Sequence, residues 1–491
     1  MLTSLNIKNT ADNTEVMPKA CNTLNRYYKS GISTLCAAKS HSVAPLFDAD
    51  ISRAISLLSR FNNAVFISES QNQGEPGILI ETAHRFCHDK SGQNLRKAFQ
   101  LDAKQFIKAS GDQPEAFFNE LFSALEQDKD NLLLVITSLE EFAADAQLLK
   151  LLQNVIKKGS VPILGMVSLE GFRQLEKNPD IAGYLQFVLV QKSTGVQKRN
   201  KSVLIIGATS LLGSAVYELF SREYKLVRGT GFSKAGLLGF DRLDVNSEEE
   251  IRKYFSDYPG FDIVVYISGE ADADAAEKER GRAKALNADA VSLIAKHAKN
   301  CKFVYISSEY IFDGSKGPYG SYSKAEPLNY YGQSKLEGEK NSLKYFPGAL
   351  VVRLGALYGY SGPHDKKTSV TKLIAALDMP GPLKADNVQV KHPILLEDAA
   401  STILKLLDYA AAGIYQTNGP EGLNKKEMAE KIAVVREQLY GCKFTYPVAG
   451  VEQAAIAAKP FNTHMVNVDT PRPFDEGMRF MLLKMKSTQK E

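Results

Sequence analysis

Short apolar runs alternate with stretches of helical periodicity along most of the chain. In its first part, the runs at 64–68, 131–136 and 161–167 have the length and composition of buried strands. The stretch at 146–158 instead repeats its apolar residues at helical spacing. Strands that alternate with helices are typical of an α/β layer with a parallel sheet, so the pattern predicts that fold class here.

A polar and basic stretch, QKSTGVQKRNKS at 191–202, interrupts this alternation and predicts a solvated linker. The alternation then restarts, with strand-like runs at 203–207, 225–231, 262–268 and 302–307. This order predicts a Rossmann-type, doubly wound sheet that binds a dinucleotide, followed by a small C-terminal substrate subdomain. We therefore divide the chain of 491 residues into domains at 1–195 and 196–491.

Composition narrows the class of function. The net charge is only +4 and no long Lys/Arg block occurs, so nucleic-acid binding has no support. The five cysteines include no C-x-x-C pair, which suits reduced thiols in the cytoplasm. No apolar run approaches the length of a membrane span, and the N-terminal stretch lacks the apolar core of a secretion signal. We expect a cytoplasmic protein without membrane association.

The stretch GATSLLG, from Gly207 to Gly213, follows the first strand of the second domain and opens a helix. Gly207 permits a tight turn and Gly213 permits close packing, while the helix N-terminus offers amides to a pyrophosphate. An ordinary strand-to-helix turn would give the same pattern. The remaining predicted cofactor contacts in this stretch are Thr209, Ser210, Leu211 and Leu212.

The second strand of this domain ends at Ser233 and Lys234, where an NAD-selective site would carry an acidic residue for the ribose. A hydroxyl and a cation suit a 2′-phosphate, which favours NADP(H) over NAD. The alternative is a solvent-facing loop lysine. Asp244 is a candidate for the adenine end of the cofactor, or else a cap for the following helix.

Tyr331 and Lys335 lie four positions apart and therefore on one helical face. Of the chain's 21 tyrosines only Tyr331 has Lys at this spacing, although about one such pair is expected by chance. Ser308 ends a buried strand about twenty residues earlier in the chain, at the edge where open α/β sheets bind ligands. The order of these elements favours a shared catalytic task over two unrelated polar residues on a helix surface.

The three residue types suit reduction of a ketone. Hydride addition places negative charge on oxygen, and the Tyr331 hydroxyl can donate the compensating proton. Since the pKa of free tyrosine is about 10, a nearby ammonium that lowers it would help, and we expect Lys335 to do this. Lys335 could also hold the nicotinamide ribose, and Ser308 would hydrogen-bond the carbonyl oxygen.

At these residues the chain resembles extended short-chain dehydrogenases/reductases of the dTDP-4-dehydrorhamnose reductase type, over nearly all of 201–470. The segments GTGF and ISSEYIFDG are most similar to the branch of this family that contains the regulatory β subunit of methionine adenosyltransferase. That branch binds NADP and has a regulatory role. The motifs that carry the resemblance are GATSLLG, ISSEYIFDG, PLNYYGQSKLEGE, VVRLGALYG, KHPILLEDAA, GIYQTNGPEGLNKKEMAEKI and KPFNT.

The resemblance implies that Ser308, Tyr331 and Lys335 form the catalytic triad. Glu309 replaces the customary Asp and is a candidate substrate contact. Gln416 stands where the family often has His.

Five further positions enter through the family pattern. Ser268 and Gly269 replace a small Ala pair that lines the cofactor, and Ser210 stands where a central glycine is common. Arg353 lies in the substrate-proximal strand, with a structural ion pair as an equal alternative. His392 is either a substrate ligand or a packed residue at a strand end.

Residues 22–190 resemble the first nucleotide-binding domain of Clp/Hsp100 AAA+ chaperones, with GEPG at 74–77 matching the opening of the phosphate loop. No phosphate lysine follows Gly77, and each such element contributes strongly to phosphoryl transfer. The chain therefore predicts a pseudo-ATPase used for docking, self-association or substrate presentation, unless it is an unrelated α/β layer. The residues at the degenerate positions are Ile78, Thr137, Ser138, Val167, Gly183 and Tyr184.

The segment HRFCH at 84–88 places two histidines on one helical face beside a cysteine, but one helix turn would leave a metal incompletely coordinated. We predict a surface helix end and no metal site. The leading hypothesis is an NADPH-dependent reductase of a keto group on a nucleotide-activated sugar. The alternative is a non-catalytic NADP(H)-binding protein that regulates or scaffolds a partner enzyme.

Overall fold

The structure of the protein is a computed structural model that describes most of the chain. The described residues are 32–34, 47–68, 75–88, 97–127, 129, 132–191, 198–360, 362, 367–441, 448–451 and 456–488. We call the described residues up to 191 the first region and those from 198 onward the second region. Each region is built around one predominantly parallel sheet with helices packed on it, so the predicted α/β fold class is confirmed.

The first region contains a sheet in the order β1-β3-β4-β5-β2-β6, in which only the β1–β3 pair is antiparallel. Its strands, β1 to β6 in chain order, are Ile32–Thr34, Asn63–Ile67, Lys97–Asp102, Leu132–Thr137, Ile163–Val167 and Phe187–Leu189. Its α-helices, α1 to α7, are Asp48–Phe61, Glu75–Cys87, Ala103–Ser110, Pro114–Glu126, Ala146–Lys158, Leu169–Glu176 and Pro179–Ala182. A 3₁₀ helix spans Leu139–Ala144.

The second region contains a parallel sheet in the order β16-β12-β11-β10-β7-β8-β9, and two short pairs, β13–β15 and β14–β17. Strands β7 to β17 are Arg199–Ile206, Tyr224–Gly231, Asp241–Arg242, Ile263–Tyr266, Lys302–Ser308, Leu350–Leu354, Leu357–Tyr358, Leu383–Asp386, Ile394–Leu395, Gly413–Thr417 and Val448–Val451. Helices α8 to α17 are Leu211–Glu223, Glu248–Asp257, Ala273–Lys278, Arg280–Lys284, Ala290–His297, Tyr330–Tyr345, Ser369–Leu377, Leu396–Asp408, Lys425–Tyr440 and Phe474–Thr488. A π-helix spans Ala285–Asp289, and 3₁₀ helices span Gly236–Leu238 and Glu309–Ile311.

The predicted strands agree with these bounds to within a few residues, because long apolar runs have few alternatives to a buried sheet. The prediction of a linker at 191–202 was wrong at its C-terminal end, since 199–202 belong to β7. There the backbone amide and hydroxyl of Ser202 bond Asp262 at 2.7 and 2.9 Å, so polar side chains extend the strand beyond its buried part. Residues 192–197, which contain the predicted domain boundary, lie outside the described residues.

The second sheet changes winding direction at β7. The chain passes from β7 to β8 on one side and later returns to β10 on the other side. Ligands of doubly wound proteins bind at such a switch point, beyond the carboxyl ends of the strands. Gly207, Ser268 and Ser308 follow or end β7, β10 and β11, so the fold gathers the predicted site residues at this edge.

The two regions pack against each other through a continuous cluster of buried apolar side chains. A buried ionic network crosses the same boundary: Arg53 bonds Asp469 at 2.6 Å, and Lys405 bonds Asp50 at 2.7 Å. Burial raises the pKa of Asp50, but Lys405 and Arg53 outweigh burial and hold it below the usual range. The network includes backbone as well, since the amide of Leu189 donates to Asp469 at 3.0 Å.

Several residues of the first region that the AAA+ resemblance singled out are packed. Ile78, which follows Gly77, is 2% exposed, and Val167 is equally buried. A Cβ on Gly183 would lie 2.4 Å from the Pro318 ring, so this position contacts the second region. Gly74 lies outside the described residues.

The HRFCH segment ends α2 and continues to His88. His84 and His88 stack with ring centroids 4.2 Å apart, and Cys87 is buried. Within the described ranges, no group of three or more His, Cys, Asp or Glu residues is placed to hold a metal ion. No helix in the described part of the chain is both long and apolar enough to cross a membrane.

Candidate active site

The turn between β7 and α8 has the geometry predicted for GATSLLG. Gly207 adopts φ +96°, and a Cβ there would lie 2.6 Å from the Ser268 amide nitrogen. A Cβ on Gly213 would lie 2.1 Å from the Gly207 carbonyl oxygen. Ser210 caps α8 by accepting from the Gly213 amide at 3.1 Å, and its hydroxyl donates to Gly207 at 2.7 Å. The turn therefore admits backbone only at both glycines.

The other residues of this stretch differ in their burial and in their packing contacts. Thr209 packs against Gly231 at the end of β8, where a Cβ would meet its side chain at 2.2 Å. Leu211 is half-buried at the first position of α8. The Leu212 side chain is 3% exposed and belongs to the hydrophobic core, so it contributes packing at this position.

The loop after β8 carries Ser233, which is exposed, and Lys234, which is half-buried. A second cation, Arg242, reaches this loop from β9, because its guanidinium lies 4.6 Å from the ring of exposed Phe232. Sequence reasoning did not name Arg242 or Phe232. Their proximity depends on the pairing of β8 with β9, which brings Gly231 opposite Arg242.

Asp244 does not cap the helix that follows it. The cap of α9 is Ser247, whose hydroxyl accepts from the Glu250 amide at 3.2 Å. Asp244 instead accepts from the Asn246 amide at 2.9 Å in a local turn. The capping alternative was therefore wrong, and a contact to the adenine end of a cofactor remains a prediction.

Ser268 and Gly269 follow β10 and border the helix that carries Tyr331. A Cβ on Gly269 would lie 2.4 Å from Asn287 Oδ1 and 3.9 Å from Lys335 Nζ. Asn287 is fully buried, and its Nδ2 donates to Ser334 at 2.8 Å, whereas its Oδ1 has no hydrogen-bond partner among the described residues. An orphaned buried acceptor marks a place where a ligand hydroxyl could bind.

Asn287 was missed by sequence reasoning, although one signal was present. It is an amide residue inside the otherwise small and apolar run ALNADAVSL. The run forms a π-helix at Ala285–Asp289, and π-helical turns occur frequently at functional sites.

Tyr331 and Lys335 lie in the first turns of α13, which Asn329 caps by accepting from the Gly332 amide at 2.9 Å. Tyr331 is half-buried, and the Ser308 hydroxyl lies near enough to lower its pKa. Lys335 is 6% exposed, with its ammonium 4.5 Å from the centre of the Tyr305 ring. Ser308 thus lies near Tyr331, and Lys335 follows one turn later on the same helix, beside Gly269.

The expected effect of Lys335 on Tyr331 is not found. Burial raises the pKa of Tyr331 to about 12, although the hydrogen bond from Ser308 lowers it and nearby Tyr310 and Glu309 raise it further. Burial also lowers the pKa of Lys335 to about 7, with Glu339 acting in the opposite direction. An ammonium that is itself partly deprotonated near neutral pH cannot strongly stabilise a phenolate, so the expectation was wrong.

Glu309 is buried and pairs with Lys391, whose Nζ lies 3.3 Å from its Oε1. Lys391 also donates to the Tyr310 hydroxyl at 3.1 Å, and the ring of Tyr310 meets that of Tyr331 edge-on at 5.6 Å. Glu309 Oε2 has no hydrogen-bond partner among the described residues. Sequence reasoning named the adjacent His392 but missed Lys391, whose role becomes visible only across the fold.

Arg353 forms a structural ion pair. Its Nε and Nη2 donate to the two carboxylate oxygens of Glu339 at 2.9 and 2.8 Å, and both side chains are buried. A third bond from Nη1 reaches the Ser321 carbonyl at 3.1 Å. A role as substrate ligand was the wrong alternative, because the guanidinium is enclosed by these partners.

His392 is likewise a packed residue rather than a substrate ligand. Its Nδ1 lies 3.1 Å from the Gly419 carbonyl, its Nε2 lies 3.0 Å from Asn462 Oδ1, and its ring stacks on His464. Burial lowers its pKa below the usual value. Gln416, also fully buried, donates to the Tyr319 carbonyl inside the core.

A cavity of about 750 Å³ opens between the two regions, away from the residues predicted for catalysis. It is lined by α6 of the first region and by β16 and α13 of the second. Its walls include Ser168, Arg173, Lys177, Tyr322, Leu343 and Tyr415.

The parallel sheet, its switch point and the glycine turn at β7 together define a dinucleotide-binding type of α/β protein. The particular family follows from comparison with known families. The family described as the RmlD substrate binding domain matches residues 201–479, and the chain belongs to this family.

Curated relatives divide between two kinds of protein. Methionine adenosyltransferase 2 subunit beta of Danio rerio is 31% identical over 238 residues, which are 48% of this chain and 73% of that protein. The Bos taurus protein of the same name is 33% identical over 242 residues, covering 48% and 72%. The "Probable low-salt glycan biosynthesis reductase Agl14" of Haloferax volcanii is 27% identical over 239 residues, covering 47% and 79%.

Solved structures share the fold of the second region. A dTDP-4-dehydrorhamnose reductase from Bacillus anthracis, in complex with NADP, aligns with a TM-score of 0.50 at 24% identity, covering 58% of this chain and all of that one. The corresponding protein from Clostridium acetobutylicum aligns with a TM-score of 0.51 at 22% identity, covering 58% and 99%. At these identities the likeness establishes the fold alone.

Proposed function

We propose that the protein is an NADPH-dependent reductase of a keto group carried by a nucleotide-activated sugar. One observation carries the proposal: Ser308 lies near enough to Tyr331 to lower its pKa, and Lys335, one turn later on the same helix, lies beside Gly269. Membership in the RmlD family supports the substrate class, as does the relative whose name describes a glycan biosynthesis reductase.

The residues present fit a dinucleotide. At Gly207 and Gly213 a side chain would collide with the protein's own backbone, so both glycines permit the tight turn that a pyrophosphate site uses. The orphaned Oδ1 of Asn287 offers an acceptor beside Lys335. At the other end, the Lys234 and Arg242 cations favour a 2′-phosphate and hence NADP(H).

When bound, the reduced nicotinamide supplies a hydride to the carbonyl carbon of the substrate. Tyr331 remains protonated at all physiological pH values because its pKa is about 12, so it can donate its proton to the carbonyl oxygen. Ser308 orients that oxygen by a hydrogen bond. Lys335 binds the cofactor ribose, and the free oxygen of Glu309 accepts from a sugar hydroxyl.

For residues 1–195 we propose a domain without ATPase activity that docks onto the reductase domain at 196–491 or onto another copy of the chain. The residues after Gly77, Ile78-Leu79-Ile80-Glu81, support this, because a working phosphate loop needs a lysine and none of them is one. The AAA+ ancestry of this domain stays a prediction. We further propose a cytoplasmic location, in keeping with the reduced cysteines and a need for NADPH.

The test measures NADPH oxidation by the full chain with a panel of 4-keto sugar nucleotides. Tyr331→Phe should lower kcat about 10²- to 10⁴-fold because the proton donor is gone. Tyr345→Phe, on the exposed end of the same helix, is the matched control and should leave kcat unchanged. Equal rates for wild type and Tyr331→Phe would refute the role of Tyr331.

A second candidate is a binding protein that holds NADP(H) and regulates a partner enzyme. The identity of 31–33% to methionine adenosyltransferase 2 subunit beta favours it. This function predicts NADPH binding without turnover of any sugar nucleotide, together with a stable complex recovered by pull-down of the full chain. Robust turnover by protein that forms no complex would count against it.

A further inference from the structure

Two charged side chains of helix α6, in the first region, hydrogen-bond the second region. Arg173 Nη1 donates to the Ser321 hydroxyl at 3.1 Å and to the Ile414 carbonyl at 2.7 Å, and its guanidinium lies 3.6 Å from the centre of the Tyr415 ring. Glu176, which is 1% exposed, accepts from the Ser321 amide at 2.9 Å. Both side chains therefore fix the backbone and side chain of a single residue, Ser321.

Ser321 is also bound from its other side. Its carbonyl oxygen accepts from Arg353 Nη1 at 3.1 Å. The remaining nitrogens of Arg353 are committed to the bidentate pair with Glu339. A displacement of Ser321 would therefore disturb the Arg353–Glu339 pair directly.

Glu339 lies one helical turn after Lys335 on α13, so its position affects the catalytic centre. Its carboxylate also accepts from the Ser307 hydroxyl at 2.5 Å, and Ser307 directly precedes Ser308 on β11. The charged and titratable groups that act on the Lys335 ammonium are Glu339 on its own helix and Tyr305 from β11. Glu339 thus holds both the strand and the helix that carry the predicted catalytic groups.

We infer that Arg173 and Glu176 are positioning residues of the reductase centre, acting from the first region through Ser321 and the Arg353–Glu339 pair on Lys335. The inference rests on the proposed function for the role of Lys335, but the linkage itself is a property of the fold. The first region is then a built-in component of the catalytic site, beyond its role in docking.

The test measures the titration of Lys335 in the full chain, with and without the hydrogen bonds that Arg173 and Glu176 make to Ser321. Lysine labelled with ¹³C at Cε is read by NMR against pH, and the Lys335 signal is assigned by its loss in Lys335→Arg. Arg173→Met and Glu176→Gln should loosen the Arg353–Glu339 pair, free more of the Glu339 charge and admit water. We expect the proton affinity of Lys335 to rise about 3- to 10-fold in both variants.

Arg60→Met provides a matched control at the same boundary. Arg60 bonds Asp475 at 2.8 Å across the two regions, but neither residue contacts Ser321. Its loss removes one cation from the boundary without touching the proposed linkage, so the Lys335 midpoint and kcat should stay at their wild-type values. Ser321→Ala removes only the hydroxyl bond to Arg173 and tests the linkage if Arg173→Met fails to fold.

Two outcomes separate the inference from the proposed function. A raised Lys335 midpoint in Glu176→Gln and Ser321→Ala, in protein that reduces no sugar nucleotide, would support the linkage and refute the reductase. An unchanged midpoint in folded Arg173→Met, Glu176→Gln and Ser321→Ala would overturn the linkage even if their kcat or stability fell. Where turnover is present, the pH profile of kcat/KM for NADPH should shift with the midpoint while KM for the sugar nucleotide stays near its wild-type value.

Discussion

Both regions have an interior parallel strand that is followed along the chain by a helix, β2 by α2 and β7 by α8, and the described residues near the two helix starts differ. In the second region, Gly207 and Gly213 pack so closely that neither position admits a side chain. In the first region, the early α2 residues Ile78 and Leu79 are 2% and 4% exposed. One helix start is shaped by close backbone packing at glycines, whereas the other is filled by buried aliphatic side chains.

This difference shows that a parallel sheet with packed helices does not by itself make a nucleotide site. A phosphate site uses the amides of a helix N-terminus after a tight glycine turn, and the second region has both at the start of α8. In the first region the helix is held by apolar packing, and its buried Glu81 pairs with Arg85 at 2.7 Å. The first region contacts the second through buried apolar side chains and buried ion pairs.

The largest expected effect comes from breaking that contact. Lys405→Met should lower the free energy of unfolding by about 3–5 kcal/mol, because it leaves Asp50 buried without its main cationic partner. Urea denaturation of the full chain measures the change. Lys158→Met, which removes an exposed lysine paired with Glu126, should cost less than about 1 kcal/mol. Equal losses in both variants would contradict a special role for the network.

The same network predicts a response to acid. The pKa of Asp50 lies below its usual value in the folded protein, since Lys405 and Arg53 outweigh burial. Its contribution to stability is therefore fully present above the unfolded pKa of about 4 and is lost as the pH falls further through the folded value. Asp50→Asn should weaken this acid dependence in thermal unfolding measured below pH about 4, and an unaltered dependence would contradict the assignment.

A smaller expected effect tests the glycine turn between β7 and α8 in the second region. Gly213→Ala places a Cβ about 2.1 Å from the Gly207 carbonyl oxygen, so the turn must shift. Overpacking of this kind costs about 1–3 kcal/mol of folding stability. If NADPH binding requires the unshifted turn, binding must restore it, so NADPH affinity should fall by up to about 150-fold. Titration of NADPH fluorescence measures it. Gly236→Ala, at a position with nothing within 4 Å of the added atom, should bind NADPH as wild type does.

The pH dependence of turnover tests the lysine of the second region. Burial lowers the pKa of Lys335 to about 7, with Glu339 opposing the change. If the ammonium form binds the cofactor, kcat/KM for NADPH should rise as the pH falls and differ about tenfold between pH about 8 and about 6. A profile that is flat over this range would show that the charge of Lys335 is not required.

The smallest expected effect is the absence of a response to ATP. The chain continues after Gly77 without a phosphate lysine, so ATP with Mg²⁺ should leave the thermal unfolding midpoint unchanged. NADPH at about 100 times its dissociation constant should instead stabilise the same protein by about 2.7 kcal/mol. A clear upward shift with ATP would show that the first region still binds nucleotide.

The sequence by itself determined the elements and their order. Apolar runs such as 203–206 and the helical repeat at 146–158 depend on neighbouring residues, so their structures could be predicted without the rest of the fold. The glycine turn and the Tyr331–Lys335 pair could be predicted for the same reason, because each depends on residues that are close together in the chain. Ser308 could be added because parallel strands end at one edge of a sheet.

Only the tertiary structure decided the partners and the charges. Lys391 lies 82 positions from Glu309 in the chain, and Arg173 lies 148 positions from Ser321. No local pattern encodes such distances. The same holds for the protonation of Lys335 and Tyr331, because their pKa values follow from burial, and burial is a property of the assembled chain.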